Sequence, residues 1–479
     1  MTLPSMKGFT LPSPALLSRF TDIVGGKYAI ADPHDQEPYV VERRGLYRGR
    51  SPAVLRPGSI AEVSAILKLA NESGTAIVPQ GGNTGLVGGQ TPYEQGNEIV
   101  VSLTRLDRIR EVDATSNTMT CEAGVVLASA QSAAEKADRL FPLALGSQGS
   151  CTIGGNLSTN AGGTGALAYG VARDLVLGLE VVLADGRVMH GLNKLKKDNT
   201  GYDLRHIFMG AEGTLGIITA AVLKLFPRPR AVETAIAAFP SPDAALATLN
   251  LARERAGGMI TGFELMPRIG LDFLFTYTLG FRDVLPAKYP WYALIELSSQ
   301  ATEGLRQTME DLLAIAAERE LVLDAVIANS LEQSRYFWSM RETLPEAQKP
   351  AGGSIKHDVS VPVSSIPAFI AEASAAAIRF VPGCRPVAFG HLGDGNVHFN
   401  ITQPVGADKE QFLAGWHDMN AVVHAVVATY GGSISAEHGI GRLKRDLLPG
   451  VKDPVAMDLM RTLKRTLDPN GILNPGKVL

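Results

Sequence analysis

Several residue types that would assign this chain quickly are scarce. Three cysteines in 479 residues, Cys121, Cys151 and Cys384, stand far apart. With no Cys-x-x-Cys spacing, a zinc knuckle, a cysteine-ligated iron–sulfur cluster and a dithiol redox centre are excluded, and the thiols are expected as small buried hydrophobes. Charge of either sign is nowhere in excess, since 45 Lys and Arg face 48 Asp and Glu for a net of −3. Such a balance offers no field to recruit nucleic acid or an anionic membrane surface, so neither is expected as a partner. Long apolar runs are missing as well. Pro4, Pro12 and Pro14 break the amino-terminal stretch, and no later run reads as transmembrane length; no leader or integral membrane segment is expected, and the cytoplasm is the expected location.

Glycine is what the chain has in plenty. Its 50 residues in 479 exceed the usual ~7%, and they are clustered rather than spread as a linker, which suggests backbone packed against a ligand. A chain of this length is too long for one ordinary core, so two or three domains are expected.

The stretch Gly390-His391-Leu392-Gly393-Asp394-Gly395-Asn396-Val397-His398-Phe399-Asn400 reads as a hairpin. If Asp394 and Gly395 form a two-residue type I′ turn, 393 pairs with 396, 392 with 397, and His391 sits directly opposite His398. Opposed residues share a face with Cβ atoms ~5 Å apart, and Asn400 falls on that face. The geometry suits a divalent metal, although two imidazoles can equally decorate a surface hairpin.

Towards the amino terminus, Ser59 and Glu62 form a capping box for a helix whose apolar residues, Ile60, Val63, Ile66, Leu67 and Ala70, run until Gly74. The strand 76–78 runs into Pro79-Gln80-Gly81-Gly82-Asn83-Thr84-Gly85-Leu86-Val87-Gly88-Gly89, whose largely unshielded amides can wrap a pyrophosphate. GxGxxG fails in register there, so this is neither a dinucleotide fingerprint nor a P-loop. A second cluster contains Gly146, Ser147, Gly149, Ser150, Thr152, Ile153, Gly154, Gly155, Asn156, Asn160, Gly162 and Gly163. Neither a period of 2 nor of 3.6 explains it, and it is read as turns through which main chain approaches a flat polar ligand. A third glycine stretch carries Glu212, Gly213 and Gly216 ahead of the apolar strand 217–226. Asp185-Gly186 joins two further strands, and a domain boundary is placed at Pro227-Arg228-Pro229-Arg230.

Beyond it strands at 234–239, 259–265 and 291–297 alternate with a helix capped near Ser241 and another over 301–320, an α+β pattern. The aromatic run Tyr336-Phe337-Trp338 on a helix is expected as core packing. Arg341 on that helix suits bidentate carboxylate recognition, and the strand opened by Lys356 places Lys356, Asp358 and Ser360 on one face. That face is either solvated or lines a pocket for an anion. Glu437 and His438 are adjacent, so in an extended segment they point to opposite sides; nothing in the sequence itself brings Glu437 to the hairpin.

Taken together, PQGGNTGLVGG, GSQGSCTIGGNLSTNAGG, AEGTLGIIT and the segment Asn470-Gly471-Ile472-Leu473-Asn474-Pro475-Gly476-Lys477 resemble FAD-binding proteins of the vanillyl-alcohol oxidase and p-cresol methylhydroxylase type. GHLGDGNVH and SAEHGIG resemble the D-2-hydroxyacid dehydrogenase branch, nearest to dehydrogenases of D-2-hydroxyglutarate. The resemblance implies an α+β protein with a two-part FAD-binding domain (1–228), an α+β substrate domain with an antiparallel sheet (229–430), and a helical carboxy-terminal segment returning to the flavin (431–479). It implies FAD held by Pro79 to Gly85, by the second-cluster residues named above, and by Glu212, Gly213, Gly216, Ile217 and Asn474. With no histidine between His34 and His190, neither main loop can tether it, so FAD is expected to be non-covalent. His391, His398 and Glu437 are implied as ligands of Zn2+ or another divalent metal, His438 as catalytic base, and Arg341, Lys356 and Asn400 as substrate contacts. Pro345 stands where the family often has Thr, which bears on substrate preference because proline has no hydroxyl or amide hydrogen to donate.

The implied activity is oxidation of a D-2-hydroxy acid to the 2-keto acid by hydride transfer to flavin N5, with D-2-hydroxyglutarate first and D-malate or D-lactate next. Reduced flavin would pass electrons to an electron-transferring flavoprotein or a quinone, and a homodimer is compatible with the sequence. Two other classes stand beside this one: a zinc hydrolase whose glycine loops are merely turns, and a non-catalytic FAD-binding electron-transfer subunit.

Overall fold

The structure is a computed structural model that describes residues 8–479, so Pro4 lies outside the described residues. Two compact units are present. Of the described residues, one comprises 8–163, 170–228 and 437–479, and the other 164–169 and 229–436. The boundary after Arg228 coincides with the Pro-Arg-Pro-Arg stretch. The other borders differ from the sequence reading. Residues 431–436 go with the second unit because Ser433 bridges Ser360 on its edge strand, and 164–169 go there because the short helix Ala166–Tyr169 packs on the strand Ile260–Pro267.

The first unit contains two sheets. In the smaller, Val54–Leu55, Glu98–Ser102 and Ala76–Gln80 run parallel, with Ala29–Ile30 antiparallel at one edge. The helix Ile60–Ser73 starts where Ser59 Oγ accepts the Glu62 amide at 3.2 Å and ends at Gly74, whose φ of 66° needs no side chain. It buries Val63, Ile66, Leu67 and Ala70, the residues its 3.6 spacing aligned. The larger sheet is antiparallel, in the order Ile109–Asp113, Thr118–Glu122, Ile217–Lys224, Val176–Val182, Val188–Gly191. The three cysteines are buried, as their scarcity suggested.

The carboxy-terminal segment is built into this unit. Ile472 and Leu473 are fully buried, and Leu473 bridges Ile77 in parallel. Upstream, Lys464 Nζ donates to Asp468 at 2.6 Å, to the Leu473 carbonyl at 2.7 Å and to the Thr214 carbonyl at 2.8 Å. Further on, Lys477 Nζ meets Glu98 Oε1 at 2.8 Å with both side chains at 0% exposure. Burial pushes the Lys477 ammonium down to about 8, against the opposing pull of Glu98.

The second unit is built on a seven-stranded antiparallel sheet ordered Asp324–Ile327, Ala231–Phe239, Trp291–Ser299, Ile260–Pro267, Arg385–His391, Asn396–Thr402, Ser354–Ser360. Helices Pro242–Ala256, Leu305–Glu318, Ile366–Phe380 and Trp416–Thr429 contribute to the core on one face. Helices Arg268–Tyr277 and Leu331–Ala347 contribute to the core on the other. The helix expected over 301–320 starts only at Leu305, because Gly304 turns left-handed at φ 85° ahead of it. Among the described residues one stretch, Val363–Phe380, has the length and hydropathy of a candidate membrane span, where the sequence reading expected none. Its Ile366, Phe369, Ile370, Ala373 and Ala377 lie in the sheet core, as for an amphipathic helix.

Removing one partner of a buried ion pair leaves the other charge uncompensated, at ~3–5 kcal/mol. Lys477→Ala is therefore expected to lower stability by that order in denaturant titration; a loss within about 0.5 kcal/mol, the range of an ordinary surface change, would contradict the anchoring role.

Candidate active site

The glycine loops of the first unit enclose a cleft with about 850 Å³ of empty space, including the part open to solvent. Of the residues expected to hold a cofactor, Pro79, Gln80, Gly81, Gly82, Asn83, Thr84 and Gly85 line it, as do Thr152, Gly154, Gly155, Asn156, Glu212, Gly213, Gly216 and Ile217. A Cβ on Gly81 would strike the Thr152 hydroxyl, and one on Gly82 the Ser150 carbonyl, so the absence of side chains is what lets the two loops meet. Thr152 Oγ1 and Gln80 Oε1 are buried in this lining without a protein hydrogen-bond partner. Since an unsatisfied buried polar atom costs ~1–3 kcal/mol, the lining fits an extended polar ligand such as FAD. His438 also lines the cleft.

Other expected cofactor residues stand back from it. Ile153 is core at 1% exposure. Asn160 takes φ 52° to end the helix Ile153–Thr159, and its Oδ1 accepts the Arg173 amide at 2.9 Å. That helix was not legible in the sequence, because small polar residues supply no apolar stripe. Gly163 donates its amide to Glu437 Oε1 at 2.6 Å, and Gly162 packs against the same side chain. Gly146, Ser147, Gly149 and Ser150 contribute turns, in which the Ser147 carbonyl accepts the Ser150 and Cys151 amides. Asn474 is 1% exposed, and its Nδ2 donates to the Gly89 carbonyl at 2.9 Å and the Glu212 carbonyl at 2.8 Å. Its role is to tie the carboxy-terminal segment to two of the loops. The residues expected to hold a cofactor did not include Val87, Gly89, Gln90, Leu103, Ala123, Ser158, Thr159 and Ile218, which complete the lining; Val87, Leu103, Ala123 and Ile218 are apolar and carry no chemical signature.

Glu212 organises the loop that follows Glu437. Its carboxylate accepts the Ile440 amide at 2.7 Å and the Gly441 amide at 2.9 Å. Residues 436–438 are bends rather than the extended segment expected, so strand alternation does not govern where Glu437 and His438 point. Burial pushes the Glu212 carboxyl up to about 7, opposed by those two amides and by Lys444.

In the second unit the hairpin is present with a different turn. The strands end at His391 and begin again at Asn396, leaving a four-residue connection, and Phe389, not His391, is paired with His398. A type I′ turn needs positive φ at both corners. Gly395 supplies it at 92°, whereas Asp394 is absent from the positive-φ residues. The register moves by two, an even number, so both histidines keep one face. Their ring centroids are 5.6 Å apart and nearly perpendicular.

The cross-strand pairs continue that face over four strands. Glu264 pairs with His391, while Asp358 pairs with His398 and Lys356 with Asn400. Far from being solvated, Asp358 is 3% and Asn400 2% exposed. Glu264 went unnoticed in the sequence, although it joins two of these side chains. Its carboxylate accepts from His391 Nδ1 at 2.6 Å and from Arg341 Nε at 2.7 Å. Burial alone would raise its pKa, but electrostatic attraction to His391 and Arg341 and the hydrogen bonds from both hold it down to about 2. Asn400 Nδ2 donates to Gln348 Oε1 at 3.1 Å, and Lys356 Nζ to the Pro345 carbonyl at 3.3 Å. Phe337 is core at 0% exposure, as expected, but Trp338 has a polar task, donating Nε1 to Glu296 at 2.7 Å. With Nδ1 of His391 held by a carboxylate, Nε2 is the nitrogen that could ligate a metal, an arrangement that fits a ligand histidine.

Comparisons with known proteins agree with this division. Residues 51–191 match a family model described as FAD binding domain, and 228–478 one described as FAD linked oxidases, C-terminal domain. A solved structure of p-cresol methylhydroxylase with substrate bound superposes with TM-score 0.76 at 17% identity, covering 99% of this chain and 98% of that one, a likeness of fold. The fold and both domains are those of an FAD-linked oxidase. A rice (Oryza sativa subsp. indica) protein named probable D-2-hydroxyglutarate dehydrogenase, mitochondrial, is 40% identical over 97% of this chain and 81% of its own. A D-2-hydroxyglutarate dehydrogenase of Stutzerimonas stutzeri (strain A1501) is 35% identical over 98% of this chain and 99% of its own. The chain belongs to the D-2-hydroxyglutarate dehydrogenase family.

Because folding raises the Glu212 pKa from 4.5 to about 7, the stabilising contribution is complete below the unfolded value and lost as pH climbs through the folded one. At ~1.4 kcal/mol per unit this is on the order of 3 kcal/mol. Flavin-free wild-type protein is expected to lose more melting temperature between about pH 5 and about pH 8 than Glu212→Gln does. Equal slopes would refute the assignment.

Proposed function

We propose that this chain oxidises a D-2-hydroxy acid to the corresponding 2-keto acid, with D-2-hydroxyglutarate the leading substrate and D-malate or D-lactate next. The observation that carries the reading is the buried polar face of the second unit's sheet, where Lys356, Asp358, His391, His398 and Asn400 gather beside Arg341 in a chain whose other unit has a flavin-type cleft. FAD, held without a covalent tether, supplies the acceptor for the Cα hydride. A divalent metal, zinc foremost, on His391, His398 and Glu437 would supply a Lewis acid at the substrate hydroxyl.

The chain's own groups do the rest. Arg341 offers a carboxylate the edge of its guanidinium opposite Nε, since Nε is engaged by Glu264. Lys356 adds a point charge and Asn400 an amide, so two cations favour a dicarboxylate, and fixing the carboxylates sets the direction of the Cα hydrogen. His438 takes the hydroxyl proton, a role supported by its place in the cleft lining. Pro345 leaves the helix face beside Lys356 without a donor of its own, and that bears on which hydroxy acid fits best. Electrons leave to an electron-transferring flavoprotein or a quinone, because the chain has no cysteine spacing for a cluster of its own. The proposed compartment is the cytoplasm; the bacterial relative's name carries no organelle, whereas the rice relative's does.

Anaerobic mixing with a panel of D- and L-2-hydroxy acids is expected to bleach the flavin with D-2-hydroxyglutarate fastest and with L-enantiomers not at all. Flavin that stays oxidised with every D-acid would favour an electron-transfer subunit, and protein purified without flavin absorbance a hydrolase. Chelation followed by gel filtration is expected to abolish dehydrogenase activity and leave flavin bound; full activity in the metal-free enzyme would remove the metal. His438→Ala is expected to keep flavin and metal but to slow flavin reduction by ~100-fold or more, and reduction at the wild-type rate would remove the base.

A further inference from the structure

We propose that Glu264 is a positioning residue that couples the two halves of substrate capture, its one carboxylate fixing the metal-ligating ring of His391 through one oxygen and the carboxylate-binding guanidinium of Arg341 through the other. This rests on the roles proposed above for His391 and Arg341. The geometry is closed on every side. Glu264 is 1% exposed and cross-strand paired with His391, so the backbone of neighbouring strands sets the first contact, at 2.6 Å. The second, at 2.7 Å, comes from the helix Leu331–Ala347, seated by Phe337, Met340 and Leu344 at 0% exposure. The Arg341 guanidinium lies 4.9 Å over the Phe389 ring, whose other neighbour at 5.2 Å is His398.

The chemistry makes the sharing consequential. A carboxylate on Nδ1 fixes the tautomer, aims Nε2 and raises its basicity as a ligand, while on Nε of arginine it orients the planar fork. Any shift of Glu264 towards one partner strains the other contact. The same sheet supplies a contrast in Glu296, a half-buried residue whose carboxylate accepts from Trp338 Nε1 and Thr261 Oγ1, two neutral donors.

The test uses flavin-loaded protein and two probes read separately: zinc affinity by competition with a chromophoric chelator, and 2-oxoglutarate affinity by perturbation of the flavin spectrum. Glu264→Gln is expected to retain full flavin content, to weaken zinc by ~10- to 100-fold and to weaken 2-oxoglutarate by ~10-fold, while Glu296→Gln moves neither. Arg341→Lys, which removes no metal ligand, is expected to weaken zinc in the native background and to have no further effect in the Glu264→Gln background. Wild-type zinc affinity in Glu264→Gln, or zinc effects of the two substitutions that simply add, would overturn the coupling. Should Glu264→Gln not fold, Glu264→Asp keeps the charge but is a methylene too short to span both partners, so at least one of the two affinities is expected to fall, and wild-type zinc and 2-oxoglutarate affinities there overturn the coupling equally. The reading beneath is tested apart by His391→Ala: if that variant still binds zinc as the native protein does, the ligand assignment fails rather than the coupling.

Discussion

A carboxylate cannot be taken out of water alone, and this protein uses that constraint to fasten its chain. Three buried glutamates each draw in distant partners: Glu98 takes Lys477, Glu212 takes the amides of Ile440 and Gly441, and Glu264 takes His391 and Arg341. Since desolvation of an ion costs several kcal/mol unless partners are well placed, each site tolerates little displacement. The consequences differ with the partner. A lysine holds Glu98 in a structural pair, two neutral amides leave Glu212 poised near neutrality, and the Arg341 guanidinium with the His391 ring keeps Glu264 ionised.

Sheet parity carries the same logic into the second unit. Alternation along a strand puts residues of like parity on one face, so a single patch can be assembled from four strands without any loop holding it. The actual turn is wider than Asp-Gly suggests, yet the histidines remain together because the register moved by an even number. A shift of one residue would have sent His398 to the face occupied by Phe399 and Val397.

Legibility in the sequence follows from how local each cause is. The Ser59 cap, the stop at Gly74 and the strands 234–239 and 291–297 were readable because their signals lie within a few residues of their effects. The glycine loops announced a ligand, but not which of their members face it: Ile153 and Asn160 share the cluster's composition and serve helix and cap instead. Glu264 was invisible for the opposite reason. It sits in an apolar strand with no neighbouring motif, and its meaning arises only from residues 77 and 127 positions away. The roles proposed for Glu437, His438 and the glycine loops came from resemblance, which periodicity and turn chemistry could not supply.

The route of the chain through the first unit has a consequence for biosynthesis. Asn474 fastens the loop at Gly89, 385 residues earlier, and Lys477 completes the pair with Glu98 across 379. Contacts of such separation form late, because the intervening chain must be ordered or looped out before they can close. Residues 229–436, with cores on both faces of their own sheet, leave the ribosome while the amino-terminal portion still lacks its carboxy-terminal segment. The glycine-loop cleft is therefore tied together last, by a segment made after residues 229–436, and a closed cleft becomes a report that translation has passed Asn474 and Lys477.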